Sequence, residues 1–568
     1  MSALRRLTVR EEKLLQGQVL SADIIIVGLG PVGAVAANLA ATAGFDVLVL
    51  EKEFEPFALP RAIVFDAEIM RIFDQIGLAE ELTGITRPLG GSIYLGSDGH
   101  PIRSFHSRRP AHSKAWWQSN IFYQPQLEAA LRKGLARYPN VRIEQGCEVQ
   151  SVVSTDDSVT LTGKDISKRH FEAKARYLLA CDGASSSIRK CLGIGLDDIG
   201  FEERWLVIDA YVNGSMRWPE FYEIPPEVRD GRYSLMVCDP RQPATLIPGV
   251  GKHRRWEYML LQGERDEEAR QPRRILERLS DWVDPGNVEI IRSAVYRFRA
   301  LVAETWRHGS TFLLGDAAHQ TPPFFGQGMC HGIRDAAQLI WRLSHAFRQA
   351  PNQRFLDDYQ VEREPHVREI IAASVRAGAA VCITDPERAR DRDNEFRTTE
   401  IARKGTVAIA DIVPPIRSGL IDAETGGLRL PEFAVADDGA VVRLDTKLNG
   451  RFAILSPHDS CELKLEPRTL ARWKAAGGQV ITIGAYGSEE MLCDIEERFA
   501  NWMSESKAIA ILVRPDRYIY GLAPTASDLH RQISDLLGQL EPGDAACPPS
   551  KPTQDKEAHE SLLVGGAK

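Results

Sequence analysis

Residues 23–51 contain the feature that most constrains the fold, a short apolar run followed by a glycine-rich turn, a helix-prone segment and a second apolar run. The two runs are "DIIIV" and "FDVLVLE", and between them lie "GLGPVG" and "AVAANLAATAG". A strand, glycine turn, helix and strand in this order are typical of a βαβ unit that binds a dinucleotide. We therefore predict an α/β fold with a Rossmann-type nucleotide site near the N-terminus.

The glycines of this turn have separate predicted roles. Gly28 permits the tight turn, Gly30 lets the backbone approach a pyrophosphate, and Gly33 allows the helix to pack closely. Glu51 ends the second run, where an acid can accept hydrogen bonds from ribose hydroxyls and disfavours a 2′-phosphate. The turn by itself does not separate NAD from FAD.

Two later phrases add to the nucleotide site. "TFLLGDAAHQTPPFFGQG" predicts a strand that ends near Asp316 and a helix that begins near Gly328, whose free N–H groups would face an anion or an electron-rich ring edge, as in a flavin. "YLLACDGASSSIRKCLG" predicts a strand, the pair Asp182 and Gly183, and a helical turn with Arg189. Each phrase alone also fits an ordinary strand-to-helix loop. All three in this order favour one ligand that crosses a large fold.

Length and composition exclude several classes of protein. The 568 residues exceed a single hydrophobic core, so we expect two or three domains. No segment approaches the roughly 18 apolar residues that span a bilayer, and the N-terminal stretch has no apolar signal region, which favours the cytoplasm. A formal charge of −8 argues against nucleic acid as a partner. The nine cysteines form no CxxC pair, which argues against a zinc site or a disulfide framework.

"GLGPVG", "CDGASSSIR" and "GDAAHQTPPFFGQG" together resemble the three flavin motifs of the class A FAD-dependent aromatic hydroxylases, a family of single-component monooxygenases. "LPRAIVFDAEIMRIFDQIGL", "IFYQPQLEAAL", "RRWEYMLLQGE" and "LVRPDRYIYG" further resemble its branch of 3-(3-hydroxyphenyl)propionate and phenol hydroxylases. The resemblance runs from about residue 22 to about residue 540. It implies FAD as the bound cofactor.

The resemblance also implies roles for single residues. Asp316 would bind ribityl or ribose hydroxyls, the backbone after Gly326 would contact the isoalloxazine, and Arg61 would approach the pyrophosphate, although a surface salt bridge is the alternative for that arginine. Asp182 and Gly183 would contact both FAD and the reductant. The full set of predicted cofactor-binding residues is Gly28, Gly30, Pro31, Gly33, Glu51, Lys52, Arg61, Gln124, Gln126, Asp182, Gly183, Gly315, Asp316, Pro323, Gly326, Gly328, Met329 and Cys330.

This chain departs from the family pattern at two places. Cys330 and His331 stand where relatives usually have Asn followed by Thr or Ser. Backbone contacts there would leave function unchanged, whereas a side-chain role would alter selectivity, and His331 fits either a new polar contact or a buried helix histidine. Ile63 occupies the position of the family's phenol-activating acid. Asp66 is the candidate catalytic residue in its place, but it fits equally well as the N-cap of the following helix.

The implied reaction is hydroxylation of a phenol ortho or para to its hydroxyl, with O₂ and NADH or NADPH. The candidate substrate is 3-(3-hydroxyphenyl)propionate or a related phenol. With one glycine-rich nucleotide motif in the chain, the nicotinamide would bind transiently, and the branch favours NADH. Rival functions are a halogenase, which would be expected to carry a WxWxIP pattern that is absent here, another flavin-dependent oxidoreductase, or a flavin-bound sensor of aromatic ligands. We expect no membrane partner and no metal, and a homodimer remains open.

The fold class that follows is α/β, with a split Rossmann-type FAD-binding domain, an inserted β-sheet substrate domain and a C-terminal thioredoxin-like domain without thiol chemistry. The predicted boundaries are an N-terminal arm at 1–20, the FAD-binding domain at 21–200 and 300–345, the substrate domain at 201–300, a helical segment and linker at 346–435, the thioredoxin-like domain at 436–545, and a disordered tail at 546–568.

Overall fold

A computed structural model describes residues 19–55, 61–349, 353–402, 413–457, 463, 465–484 and 492–541. The predicted disordered tail and nearly all of the predicted N-terminal arm lie outside these ranges. Helices and strands both occur along the described chain, so the α/β prediction is confirmed. No helix within these ranges has the length and apolar character that crossing a membrane requires.

The strands of the described residues, in chain order, are β1 Val19–Val27, β2 Val47–Glu51, β3 Val64–Asp66, β4 Thr86–Pro88, β5 Gly91–Leu95, β6 Pro101–His106, β7 Ser119–Phe122, β8 Val141–Gln145, β9 Glu148–Ser154, β10 Val159–Lys164, β11 His170–Ala180, β12 Leu196–Val212, β13 Tyr233–Val237, β14 Ala244–Pro248, β15 His253–Met259, β16 Val288–Ala303, β17 Arg307–His308, β18 Thr311–Leu313, β19 His319–Gln320, β20 Ala434–Asp437, β21 Ala440–Arg443, β22 Ala453–Ser456, β23 Gln479–Gly484, β24 Leu492–Asp494, β25 Ala510–Val513 and β26 Ile519–Ala523.

The α-helices of the same residues are α1 Pro31–Thr42, α2 Ala67–Gln75, α3 Ala79–Thr83, α4 Gln124–Leu135, α5 Ser187–Cys191, α6 Pro226–Arg229, α7 Asp266–Ala269, α8 Pro272–Leu279, α9 Gly328–Gln349, α10 Gln353–Val381, α11 Pro386–Ala402, α12 Leu444–Leu448, α13 Pro467–Ala475, α14 Arg498–Glu505 and α15 Ala526–Leu540.

The first sheet contains the predicted βαβ unit. Its central path is β17-β18-β11-β1-β2-β8, and β1 pairs in parallel with both β2 and β11. Ile24, Ile25 and Ile26 are fully buried because a central parallel strand is covered on both faces. The strand, turn, helix and strand predicted from residues 23–51 are therefore confirmed.

The second sheet is largely antiparallel and runs in the order β19-β16-β12-β15-β14-β13-β5-β6. Its long strands β12 and β16 pair along nearly their whole length. From the sequence, residues 201–300 were predicted to form this sheet, and residues 91–106 were predicted to belong to the FAD-binding domain. The structure instead adds β5 and β6 to the second sheet, because β5 pairs in parallel with β13 over Tyr233–Val237. A contact between strands so far apart in sequence has no local signal.

The third sheet is formed by the C-terminal strands, in the order β21-β20-β24-β23-β22-β25-β26. It mixes parallel and antiparallel pairs, since β22 is parallel to β23 and antiparallel to β25. Cys493 lies on β24, whereas Cys461 lies outside the described residues. The prediction that this region carries out no thiol chemistry stays a prediction.

Buried ion pairs join the third sheet's region to the rest of the chain. The Arg71 guanidinium of α2 donates to both carboxylate oxygens of Asp445 at 2.6 and 2.7 Å and to the Leu430 carbonyl at 2.6 Å. Glu362 of α10 accepts hydrogen bonds from Arg342 of α9 and from Arg514, which follows β25. Removal of one partner from such a pair leaves a buried charge without compensation.

We expect Arg71→Ala to lower the free energy of unfolding by about 3–5 kcal/mol, because Asp445 then stays buried without its cation. Urea denaturation followed by tryptophan fluorescence measures this loss. The matched control is Arg472→Ala, since Arg472 forms its ion pair with Glu541 at the surface and both side chains are about half exposed. The control should cost less than about 1 kcal/mol. Equal losses in both variants would contradict the proposed anchoring.

Candidate active site

A cavity of about 510 Å³ lies between the first and second sheets. At one end it is lined by the first residues of α1 and by Asp316. It continues past the first residues of α9 to the second sheet, where Val207, Glu257 and Tyr296 line its wall. The three predicted flavin motifs therefore contribute to one cavity, although they are far apart in sequence.

The turn before α1 is as compact as its glycines predict. Gly28 has φ +97°, and a Cβ on Gly33 would lie 2.0 Å from the Gly28 carbonyl oxygen. A Cβ on Gly30, in contrast, would meet no atom within 4 Å, and Gly30 lines the cavity. Gly28 and Gly33 therefore hold the turn together, whereas Gly30 leaves its backbone open to a ligand.

Glu51 at the end of β2 faces this turn. Its carboxylate accepts hydrogen bonds from the Leu29 N–H at 2.6 Å and from the Glu53 N–H at 2.9 Å. The side chain of Lys52 is mostly exposed and forms a long ion pair with Glu53. Neither Glu51 nor Lys52 lines the cavity. Glu51 thus orders the glycine turn directly through the Leu29 N–H.

The second motif places Asp182 and Gly183 after β11. One carboxylate oxygen of Asp182 accepts hydrogen bonds from the Ser187 hydroxyl and the Ile188 N–H. Its other oxygen, Oδ1, is buried without a hydrogen-bond partner among the described residues. Gly183 has φ +79° and lines the cavity, and a Cβ there would meet nothing within 4 Å. A buried acceptor beside open backbone suits a polar ligand.

The turn of the third motif is held by a carboxylate from α9. Gly315 has φ +58°, and its N–H donates to Asp335 at 3.0 Å. Asp335 also accepts hydrogen bonds from His319 at 2.7 Å and Arg363 at 2.9 Å. Burial alone would raise the pKa of Asp335, but His319 and Arg363 outweigh it and lower the pKa to about 2. This buried anion fixes the residue that precedes Asp316.

Asp316 projects from this turn into the cavity. Its carboxylate is exposed to the cavity and accepts no hydrogen bond from the described residues. Because the group nevertheless lies deep within the protein, desolvation raises its pKa, while His319 and Arg61 act in the opposite direction. An acceptor in this state gains from hydroxyl donors such as those of a ribityl chain.

The helix α9 begins at Gly328, as predicted, and its first turn faces the cavity. Pro323, Gly326 and Met329 line the same region, and Gly326 has φ +63°. The free N–H groups of this turn can interact with an anion or an electron-rich ring edge.

Neither of the two residues that depart from the family pattern lines the cavity. The Cys330 thiol is fully buried and lies 3.7 Å from the Gly326 carbonyl oxygen. His331 is fully buried and its Nδ1 lies 3.2 Å from Arg363. Burial, together with Arg334 and Arg363, lowers the pKa of His331 well below its usual value. The interpretation of His331 as a buried helix histidine is therefore favoured.

Arg61 and Gln124 line the cavity together. Gln124 accepts hydrogen bonds from the N–H groups of Arg61 and Ala62 at 2.6 and 2.7 Å, so it orders the segment that carries the guanidinium. Gln126, two residues further along α4, does not line the cavity. Of the two glutamines predicted to bind the cofactor, Gln124 lines the cavity and Gln126 does not.

Asp66 is the N-cap of α2, and that prediction is confirmed. Its Oδ1 accepts hydrogen bonds from the N–H groups of Glu68 and Ile69, and its Oδ2 accepts one from Arg334. Asp66 also lines the cavity. The alternative role, in which Asp66 accepts the phenol proton, stays a prediction.

The charged residues on the second sheet were not predicted from the sequence. Arg255, Glu257 and Arg292 line the cavity, and Asp209 lies between the two arginines in the strand register. Asp209 is fully buried and accepts hydrogen bonds from His253 and Arg255. The signal was present in "RRWEYML", where alternate residues of one strand face the same side, and in "WLVIDAYV", where an acid interrupts an apolar strand.

The predicted residues divide into two groups. Those that line the cavity are Gly30, Pro31, Arg61, Gln124, Gly183, Asp316, Pro323, Gly326, Gly328 and Met329. Those that do not are Gly28, Gly33, Glu51, Lys52, Gln126, Asp182, Gly315 and Cys330.

Comparison with known proteins gives two family matches. Residues 21–374 match the family described as FAD binding domain. Residues 427–539 match the family described as HcaD C-terminal domain. The FAD binding domain match spans all three flavin motifs and the second sheet. The C-terminal match spans the third sheet.

Curated relatives match nearly the whole chain. A probable NADH-specific resorcinol 4-hydroxylase of Rhodococcus jostii is 30% identical, with 92% of this chain and 95% of the relative covered. A 3-(3-hydroxy-phenyl)propionate/3-hydroxycinnamic acid hydroxylase of Burkholderia cenocepacia is 31% identical, with 88% of this chain and 93% of the relative covered.

Solved structures share the fold at lower identity. The flavin-dependent monooxygenase PieE, solved with FAD and substrate, has a TM-score of 0.75 at 20% identity, with 92% of this chain and 99% of that chain covered. Aklavinone-11 hydroxylase, solved with FAD and aklavinone, has a TM-score of 0.73 at 20% identity and the same coverage.

Gly30→Ala and Gly33→Ala should separate binding from folding. Gly30 has φ −69°, so alanine fits its backbone, and its Cβ would enter only the space expected to hold a pyrophosphate. We expect Gly30→Ala to keep its thermal stability and lose bound flavin. Gly33→Ala places a methyl group against the Gly28 carbonyl and should cost about 3 kcal/mol.

Flavin absorbance per purified protein and thermal unfolding of the apoprotein check this pair of variants. Asp316→Ala should behave like Gly30→Ala, with reduced flavin content and unchanged stability, because its carboxylate accepts no hydrogen bond from the described residues. Full flavin content in Gly30→Ala would contradict the placement of the pyrophosphate.

Proposed function

Because the chain belongs to the FAD binding domain family, we propose that it is an FAD-dependent monooxygenase that hydroxylates a phenolic ring with NADH and O₂. The observation that carries the proposal is the cavity that residues of all three flavin motifs line together with a group of aromatic side chains. The names of the relatives support a phenol as substrate, since one is named as a probable resorcinol 4-hydroxylase and another as a hydroxylase of a hydroxyphenyl acid.

The residues at the glycine end fit FAD. Gly30 and Gly183 leave open backbone along the cavity, and Asp182 has a buried oxygen without a partner among the described residues. We assign the pyrophosphate to Gly30, Pro31 and Arg61, where a guanidinium suits phosphate oxygens. Asp316 would bind ribityl hydroxyls, and the start of α9 would lie against the isoalloxazine. FAD supplies the redox chemistry when bound, passing two electrons from the nicotinamide to O₂ so that one oxygen atom enters the ring.

The other end of the cavity fits a flat aromatic substrate. Phe298 and Phe324 line it with ring centroids 6.5 Å apart, and Phe105 and Phe325 lie at the same separation. Edge-to-face contacts of this kind recognise and orient an aromatic ring. The same rings exclude water, which keeps reduced flavin and O₂ from being consumed without hydroxylation.

We propose that each of the three sheets belongs to a domain with its own role. The first sheet with α1 and α9 is the split Rossmann-type FAD-binding domain. The second sheet, including β5 and β6, is the substrate domain. The third sheet is thioredoxin-like and covers the FAD-binding domain through Arg71 and Asp445. A homodimer through this region remains a prediction.

NADH is the proposed reductant rather than NADPH. The Rhodococcus jostii relative is named as NADH-specific. In this proposal FAD occupies the glycine-rich turn that contains Gly28. The nicotinamide therefore binds transiently, against the flavin. A ratio of kcat/KM values for the two nicotinamides measures the preference directly.

Phenol-dependent NADH oxidation tests the proposed function. We expect the holoenzyme alone to oxidise NADH slowly. A true substrate should raise the rate of NADH oxidation by at least about tenfold, because substrate binding would complete the active site. Phenolic propionates, resorcinol, benzoates and simple phenols form the panel, and product mass should increase by one oxygen atom.

The rival functions give different results in the same assay. A halogenase would yield a product only with added halide, and a dehydrogenase would leave the substrate without added oxygen. A flavin-bound sensor would bind phenols without turnover. Failure of every phenol to stimulate NADH oxidation and to gain oxygen would overturn the proposal.

A further inference from the structure

Three carboxylates line the cavity, and their surroundings differ. Asp66 caps α2 and accepts a hydrogen bond from Arg334, and Asp316 lies at the end assigned to FAD. Glu257 lies on the second sheet, at the end with the aromatic rings. Of these three, Glu257 is the one at the substrate end, and it accepts no hydrogen bond from the described residues.

Glu257 projects from β15 next to a small neighbour. In the strand register it lies beside Val207 of β12, and Val207 lies beside Ala294 of β16 on its other side. Both neighbours are short, so the carboxylate faces an open part of the wall. Tyr296 and Phe298, one and two steps further along the same face of β16, also line the cavity.

The contacts of Glu257 leave its oxygens available to a ligand. Its closest ion pair is with Arg255 at 3.9 Å, and it accepts no hydrogen bond from the described residues. Arg255 instead donates to Asp209 at 2.9 and 3.2 Å and to the Arg61 carbonyl at 2.6 Å. Asp209 therefore neutralises Arg255, and Glu257 is not needed for that purpose.

The charges around Glu257 suit proton transfer. Burial raises its pKa, Arg255 on the same strand and Arg292 on β16 act to lower it, and Asp209 on β12 acts to raise it, so that the net change is upward. A carboxylate with a raised pKa is a better proton acceptor near neutral pH than an exposed one. Arg292 lines the same wall and can stabilise an anion formed there.

We propose that Glu257 is the catalytic base that accepts the phenol proton during hydroxylation. This inference rests on the proposed function. The phenol O–H bond breaks, the proton goes to a Glu257 carboxylate oxygen, and the electron pair stays on the phenolate oxygen. That charge raises the electron density at the ortho and para carbons, one of which gains an oxygen atom from O₂ at the expense of NADH. The two electrons of NADH reduce the other oxygen atom to water. The proton lost from the attacked carbon passes to solvent, which supplies the protons that complete the new hydroxyl and the water. Glu257 returns the proton it holds to the original phenol oxygen as the ring regains its aromaticity.

The test uses holoenzyme of Glu257→Gln, which keeps the shape of the side chain and removes the base. With the best phenol from the panel, we expect kcat to fall by about 100-fold or more, with flavin content unchanged. In the wild type, kcat should decrease at low pH because Glu257 becomes protonated. This decrease should be absent from the pH profile of Glu257→Gln. Glu257→Asp retains a carboxylate and should recover part of kcat.

A spectroscopic readout separates the base from a structural role. 4-Nitrophenol ionises to a phenolate that absorbs visible light, so its difference spectrum reports the proton transfer without turnover. Wild-type enzyme should bind it as phenolate at a pH where it is mostly protonated in solution, and Glu257→Gln should bind it as the neutral phenol.

Two control variants complete the design. Glu203→Gln removes a carboxylate of β12, the strand next to β15, whose pKa is also raised by burial but which does not line the cavity. It should leave both readouts unchanged. Asp66→Asn tests the alternative base. If Asp66→Asn abolishes the phenolate signal while Glu257→Gln retains it, the inference is overturned. A wild type that hydroxylates no phenol refutes the proposed function, whereas normal turnover in Glu257→Gln refutes only the role of Glu257.

Discussion

The buried carboxylate of Asp335 is the interaction on which the geometry of the site depends. It accepts hydrogen bonds from the N–H of Gly315, from His319 and from Arg363, and so joins the turn of the third motif to α9 and α10. A Cβ on Gly332 would lie only 2.9 Å from the Gly315 Cα, which shows how closely that turn packs on α9. Asp316 and the start of α9 can therefore face the same cavity.

The carboxylates that line the cavity differ in their hydrogen-bond partners. Asp316 can accept hydroxyl donors because no residue of the described chain occupies its oxygens. Asp66, by contrast, accepts hydrogen bonds from the first turn of α2 and from Arg334. It therefore stabilises the fold and also lines the cavity. Glu257 has the accessible oxygens that proton transfer needs. The role of each acid follows from its hydrogen bonds rather than from its residue type.

The sequence predicted the local parts of this site well, because glycine turns and strand ends carry local signals. Gly28, Gly33 and the start of α9 at Gly328 are examples, as is Asp66 as N-cap. It could not predict the pairing of β5 with β13, since that contact joins residues more than 130 positions apart. The orientation of Glu257 depends on the register of β12 and β15, which is fixed only by tertiary packing.

Turnover under isotopically labelled O₂ tests the central claim most directly. The claim is that one cavity holds FAD at its glycine end and a phenol at its aromatic end, so that an oxygen atom passes from O₂ to the ring. Mass spectrometry of the product should show one labelled oxygen atom when labelled O₂ is used with ordinary water, and none when labelled water is used with ordinary O₂. A product that takes its oxygen from water, or a phenol that is oxidised without gaining oxygen, would contradict the account.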